Sequence, residues 1–312
     1  MGEIPRVGSA PNAAARILGR ALKPASQAGP GIPGDSLQLA SPPPIRVITF
    51  NTAVGNSKIK TPQASFPDLP FYQEIINGHP DAPILAGQEI GTRQLDRLKA
   101  LSKNGSFQVV ATYAHPGQAN MVLVPRRFEV LGYQHRTYGM SHLRGFWNGL
   151  KGWFTGKGTP HWSQMFEPRK YTELRLRDRE SGREFTLFNT HTSYYGPLKV
   201  EQNTQLFAAA RAAKARGPVI VAGDLNTRAA DNARPDKYDS DARVLAQMGD
   251  FKDMGPPSKS QWPRPNIDWI LADGFSPVTS RVHTGDSLSL PGSPNAELVS
   301  DHYAEEDTLR FD

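Results

Sequence analysis

The 312-residue sequence predicts an α+β fold in which two mixed, largely antiparallel sheets pack face to face with helices outside. Three observations carry that expectation. Segments of strand length and composition recur from Ile45 to the C-terminus. Several are joined by connections too short for a parallel crossover, which makes those neighbours antiparallel. Helical spacing of apolar residues appears in only a few of the intervening stretches.

The elements follow in order. IRVITF (45–50), PILAGQ (83–88), FQVVATY (107–113), NMVLVP (120–125) and FEVLGY (128–133) read as strands. Phe71, Ile75 and Ile76 keep helical spacing in LPFYQEIING, as do Leu95, Leu98 and Leu101 in RQLDRLKALSKNG, with Gly105 just beyond the expected end. YTELRLRD (171–178) and REFTLFNT (183–190) alternate around a Glu-Ser-Gly turn and predict a hairpin, followed by a helix over 200–215. VIVAG (219–223), NIDWIL (266–271), PVTSRV (277–282) and HYAEEDTLRF (302–311) supply the remaining strands. Residues 1–44 are rich in Pro, Gly, Ala and Ser and read as a disordered tail or linker before a single domain over 45–312.

Composition narrows the chemistry. With no cysteine, disulfides, thiolate metal ligands and cysteine nucleophiles are excluded. No apolar run has the length of a membrane span and the N-terminus lacks a secretory apolar segment, so the expected location is cytoplasmic or reached by a non-Sec route. The net charge of +6 suits an anionic partner, and it is concentrated: Arg126 to Arg183 hold 12 Lys and Arg against 5 Asp and Glu, a net of +7. Such charge also guards sheet edges against aggregation.

Function enters where the strands stop. In VIVAGDLNTR the buried-type run ends in Asp224 and Asn226, which alternation places on one face while Leu225 points back. A capping turn alone would use the same residues. Other strands end in the same way, however: IRVITFN at Asn51, ILAGQE at Glu89, TLFNTH at His191, NID at Asp268, and SDH at Asp301 and His302. Groups that bind metal and phosphate thus terminate six segments.

The pieces TFN, GQE, NTHT, GDLN, NIDWIL and SDHY, in that order, resemble the endonuclease/exonuclease/phosphatase superfamily, the fold of deoxyribonuclease I, across residues 45–312. The resemblance implies a four-layered sandwich and a Mg2+-dependent phosphodiester hydrolase, with Mn2+ or Ca2+ as alternative ions. Hydrolysis of a phosphodiester needs a hard cation to neutralise non-bridging oxygen charge, an activated water in line with the leaving oxygen, and help for that oxygen. Magnesium's preference for a few oxygen ligands suits Asn51, Glu89 and Asp301, the positions where family members carry metal ligands. Asp268 and His302 look like an orienting carboxylate and its base. The family's base has also been placed at the aspartate of GDLN, so Asp224 aligns the water or takes its proton. His191 and Asn226 are expected at the scissile phosphate, His191 stabilising charge or protonating the departing oxygen. The histidine of NTHT argues against a dedicated abasic-site enzyme, which carries asparagine there. The acidic or asparagine position on the family's first helix has no clear counterpart near Gln73 and Glu74, leaving a second metal site in doubt.

The substrate is the open question. The stretch at about 136–168 alternates basic residues with Phe146, Trp147, Trp153, Phe154 and Trp162. From it and its flank, Arg144, Trp147, Lys151, Trp153 and Arg169 are the expected substrate contacts. Aromatics can stack on bases while cations track phosphates, can insert at an anionic membrane surface, or can pin a long loop as a satellite core. A DNA endonuclease of low sequence specificity is the first reading. A sphingomyelinase-like or inositol-phosphatase-like hydrolase is the second, and a catalytically dead binding module the third. Oligomeric state is left open.

Overall fold

A computed structural model describes residues 42–53, 67–115, 118–139, 169–229, 239–255, 267–284, 300 and 302–312. The expected tail falls almost wholly outside these residues, as do Asp301 and four of the substrate contacts, Arg144, Trp147, Lys151 and Trp153.

Two six-stranded mixed sheets form the described domain, in agreement with the predicted sandwich. The strands are β1 (Ile45–Asn51), β2 (Ile84–Gly91), β3 (Phe107–His115), β4 (Gln118–Pro125), β5 (Phe128–Thr137), β6 (Lys170–Asp178), β7 (Glu184–His191), β8 (Val219–Asp224), β9 (Lys252–Asp253), β10 (Asp268–Asp273), β11 (Phe275–His283) and β12 (Ala304–Phe311). Helices α1 (Pro70–Ile76), α2 (Thr92–Leu101), α3 (Gly196–Lys214) and α4 (Ser240–Met248) lie among them. The first sheet runs β11-β12-β1-β2-β4-β3 and the second β5-β6-β7-β8-β10-β9.

Each sheet contains one parallel pair, β1 with β2 and β7 with β8, each joined through a helical crossover. All other pairings are antiparallel. The carboxyl ends of two adjacent parallel strands therefore meet once in each sheet, and open α/β sheets place ligand sites at such ends.

Side-chain alternation sorts the strands into inner and outer rows. Ile45, Val47, Ile84, Ala86, Leu187, Ile220, Ala222, Ile270 and Leu309 fill the space between the sheets. Ile48, Phe50, Leu85 and Leu123 face the other way, against α1 and α2. Phe188, Val219, Val221 and Leu271 pack on α3 and α4, through Leu206, Phe207, Ala210 and Val244. Each fully buried Leu, Ile or Phe contributes about 1.5–3 kcal/mol, so these three layers hold the domain together.

The inner rows change character along their length. On β7 the row reads Phe185, Leu187, Asn189, His191; on β8 Ile220, Ala222, Asp224; on β1 Ile45, Val47, Thr49, Asn51. At the apolar end Phe185 meets Phe128, Phe275 and Phe311 at ring-centroid distances of 5.9 Å. At the other end a buried polar floor links the sheets: Asn189 Nδ2 donates to the carbonyls of Gly87 and Met121, and Gln88 Nε2 donates to Asn189 Oδ1 at 2.9 Å. Satisfied buried networks fix geometry, because any displacement leaves a polar group unpaired. The site residues expected from the sequence stand just beyond this floor.

Gly223 sets the approach of β7 to β8. Its φ is +147°, and a Cβ there would lie 2.1 Å from the Thr190 carbonyl oxygen. Gly223→Ala should therefore destabilise the domain by several kcal/mol, in the range of severe core lesions. Urea unfolding of the two proteins checks this, and equal midpoints would contradict it.

Candidate active site

Sheet register assembles the first part of the site. His191 on β7, Asp224 on β8 and Asp268 on β10 are direct neighbours across three strands, about 4.8 Å apart per strand. Asn51 and Gln88 are paired in the same way at the end of the opposing sheet. β1 lies over β8 and β10, which brings Asn51 to Asp224: Asn51 Nδ2 donates to Asp224 Oδ2 at 3.0 Å.

Two departures from regular strand geometry complete it. By alternation Glu89 belongs on the outer face, next to inner Gln88. The β2–β4 register breaks between Gly87 and Ile90, and Glu89 adopts a left-handed φ of +53°. The bulge re-aims its carboxylate into the inter-sheet space, where Oε1 lies 3.7 Å from His191 Nδ1. Helix α2 begins beyond this bulge, N-capped at Gly91. Asn226 has a φ of +50°, its N–H donates to Asp224 Oδ1 at 2.8 Å, and its Nδ2 donates to the Thr192 carbonyl at 2.8 Å. Asparagine tolerates this left-handed conformation better than most side chains, and the two bonds hold it there.

His302 enters from the other side. Ser300 Oγ donates to the Asn51 carbonyl at 2.7 Å and accepts from the His302 N–H at 3.0 Å, so the approach to β12 is fastened to the end of β1. His302 Nδ1 meets Asp268 Oδ2 at 2.7 Å, as expected of an orienting pair. Its Nε2 lies 3.9 Å from Asp224 Oδ2, and His191 Nε2 lies 3.4 Å from the same oxygen. At 3.9 Å the two groups do not bond directly, yet one small oxygen can lie within hydrogen-bond reach of both. The series Glu89, His191, Asp224, His302, Asp268 is thus a chain of alternating carboxylates and imidazoles across the cleft.

Burial decides where the protons sit. Asp224 is 1 % exposed, and burial together with the charge of Asp268 raises its pKa to about 7, against opposing effects of His302, the Asn226 N–H and Asn51. His191 moves the other way, well below the usual imidazole value, through burial and the positive fields of Arg169 and His302. It is a neutral imidazole at neutral pH, which favours the charge-stabilising role over that of proton donor. Arg169 is the one expected substrate contact among the described residues, and its effect on His191 places its charge near the site. Glu74, near the doubtful second metal position, instead pairs with Arg46 at 2.7 Å beneath the outer face of the first sheet.

A hard divalent cation fits the donor set. Glu89 offers a carboxylate with 23 % side-chain exposure, and Asn51 Oδ1, which accepts from the Ala53 N–H at 2.9 Å, keeps a second lone pair. Asp224, Asp268 and His302 also bring ligand-type atoms within 4.8 Å of one another. Ligation through His302 Nδ1 would compete with its 2.7 Å contact to Asp268 Oδ2, which Glu89 and Asn51 as ligands leave intact.

Two polar groups close beneath the Asp224–Asn226 turn escaped sequence reasoning. Lys199 and Asp241 are 4 % and 3 % exposed. The helix expected over 200–215 starts at Gly196, and Lys199 shares its buried face with Gln202, Asn203, Leu206 and Phe207. A lysine in phase with that apolar stripe was the available signal.

Comparison with known proteins follows the same lines. Residues 48–302 match the family described as Endonuclease/Exonuclease/phosphatase family. No curated protein matches the sequence. Among solved structures, an endonuclease/exonuclease/phosphatase from Bacteroides vulgatus superposes with a TM-score of 0.59 at 16% identity, covering 86% of this chain and 99% of that one. Truncated Caenorhabditis elegans TDP2 gives 0.57 at 15% identity over 86% and 98% of the two chains. A Bacteroides thetaiotaomicron mannosyl-6-phosphatase gives 0.56 at 16% identity over 86% and 100%. These likenesses establish the fold.

Proposed function

The chain belongs to the endonuclease/exonuclease/phosphatase family, and from that premise we propose that it is a divalent-cation-dependent phosphodiesterase acting on DNA as an endonuclease of low sequence specificity. The observation that carries the reading is the placement of His302 Nε2 opposite Asp224 Oδ2 at 3.9 Å, with the other ring nitrogen held by Asp268 at 2.7 Å.

In this mechanism Glu89 and Asn51 would hold the divalent cation, which would supply neutralisation of charge on the non-bridging phosphate oxygens. Asp268 accepts a hydrogen bond from His302 Nδ1–H, fixes that tautomer and leaves Nε2 as the base for the attacking water. Asp224 holds the water's second hydrogen and aligns it. Neutral His191 and the Asn226 carboxamide bind phosphate oxygens, and Arg169 adds positive potential beside them. The basic excess from Arg126 to Arg183 supports a polyanionic substrate.

A second reading, hydrolysis of a lipid-headgroup or sugar phosphoester, draws on the mannosyl-6-phosphatase among the structural neighbours. Salt separates the two. On supercoiled plasmid, kcat/KM should fall about tenfold or more between 50 and 200 mM salt, because bound cations displace from the phosphate backbone. Hydrolysis confined to neutral sphingomyelin liposomes, with weak salt dependence, would select the second reading.

A further inference from the structure

We propose that Lys199 and Asp241, a buried ion pair joining α3 to α4, form a clamp that positions the Asp224–Asn226 turn for catalysis. The proposal rests on the reading of Asp224 and Asn226 as site residues and assigns the pair no contact with substrate.

Burying an ammonium and a carboxylate carries a desolvation penalty that can exceed their mutual attraction, so such a pair needs further partners to hold its place. Here they belong to the catalytic turn. Lys199 Nζ donates to Asp241 Oδ1 at 2.5 Å and to the carbonyl of Asn226 at 3.0 Å. Asp241 Oδ2 lies 3.5 Å from Arg228 Nη1, two residues further along the turn. One ion pair thus grips the segment at a backbone carbonyl and at a side chain.

The grip acts on the strained residue. Asn226 sits at φ +50°, its N–H bonds Asp224 Oδ1 and its carboxamide bonds the Thr192 carbonyl. Other turn groups already have partners: the Leu225 N–H donates to the Ile267 carbonyl, and the Thr227 carbonyl accepts from Trp269 Nε1. The Asn226 carbonyl faces inward, and a cation directed at it opposes rotation of the 226–227 peptide. Without Lys199, relaxation of Asn226 toward the right-handed region would swing its carboxamide and loosen the N–H bond that fixes Asp224.

A structural role and a positioning role predict different patterns. Lys199→Met should lower kcat for bis(p-nitrophenyl) phosphate and plasmid 10- to 100-fold with KM within about twofold, the signature of transition-state loss. The double variant Lys199→Met/Asp241→Leu removes both charges, and apolar replacement of a buried pair commonly preserves stability. Its Tm should recover to near the wild-type value while kcat stays low. Hydrogen exchange of the 225–228 amides, which needs no substrate, should accelerate in both variants while β8 and β10 stay protected. Recovery of kcat together with Tm, or wild-type kcat in a folded Lys199→Met protein, overturns the clamp. Unchanged exchange overturns it even if the wild-type protein hydrolyses no phosphodiester, an outcome that would separately remove the proposed function.

Discussion

His302→Ala is expected to lower kcat by about 10³-fold, within the range of positioned general bases. The side chain is 16 % exposed and its ring contact is with Asp268 at 2.7 Å, so truncation leaves the inter-sheet core untouched. The folded structure should persist, as judged by circular dichroism, while turnover is lost. Asp268→Asn gives the graded counterpart. An amide can present a donor to Nδ1 and stabilise the wrong tautomer, costing about 10- to 100-fold without removing the imidazole. If His302→Ala retained wild-type turnover with Asp224→Asn inactive, the base would be Asp224, the alternative the sequence left open.

Asp224→Asn should produce the second large effect, a loss of activity coupled to a gain in stability. The carboxyl has an ordinary value of 3.8 and is raised to about 7 in the folded, cation-free protein. Between these values the folded state retains a proton that the unfolded chain releases, so stability falls as pH rises through that window. Above about pH 7 the cost of the buried charge is fully present. Asparagine carries no such charge but can satisfy only one of the donors from Asn51 and Asn226. The net gain expected at pH 8 with EDTA is about 1–2 kcal/mol, and it should vanish toward pH 4. Thermal unfolding of both proteins across pH 4–8 measures it. A variant less stable than wild type at pH 8 would contradict the assignment of strain to this carboxylate. Trade of stability for function is common at active sites.

The layers and most strands were legible because strand length and composition are local signals: VIVAG and IRVITF are apolar runs of strand length, and TLFNT continues the alternation of its hairpin. The sequence also reveals which strand ends turn polar, since each inner row changes character in order. It does not reveal how those ends meet. Asn51 reaches Asp224 because β1 lies over β8 in the opposing sheet, a consequence of two parallel crossovers rather than of any motif. Glu89 was identified by resemblance, whereas its geometry depends on a bulge that inverts the face alternation assigns to it. Lys199 was missed because charge on a helix is ordinarily solvated, and only the packing of α3 on α4 shows that this one is not.

The central claim is that this convergent group of imidazoles and carboxylates hydrolyses phosphodiesters with a divalent cation. Nicking of supercoiled plasmid in Mg2+, repeated with excess EDTA and then with Mg2+ restored, tests it most directly. The account predicts cleavage that EDTA abolishes and restored Mg2+ recovers. Cleavage at an unchanged rate in EDTA, or no cleavage of plasmid, sphingomyelin or bis(p-nitrophenyl) phosphate by folded protein in Mg2+, would contradict it.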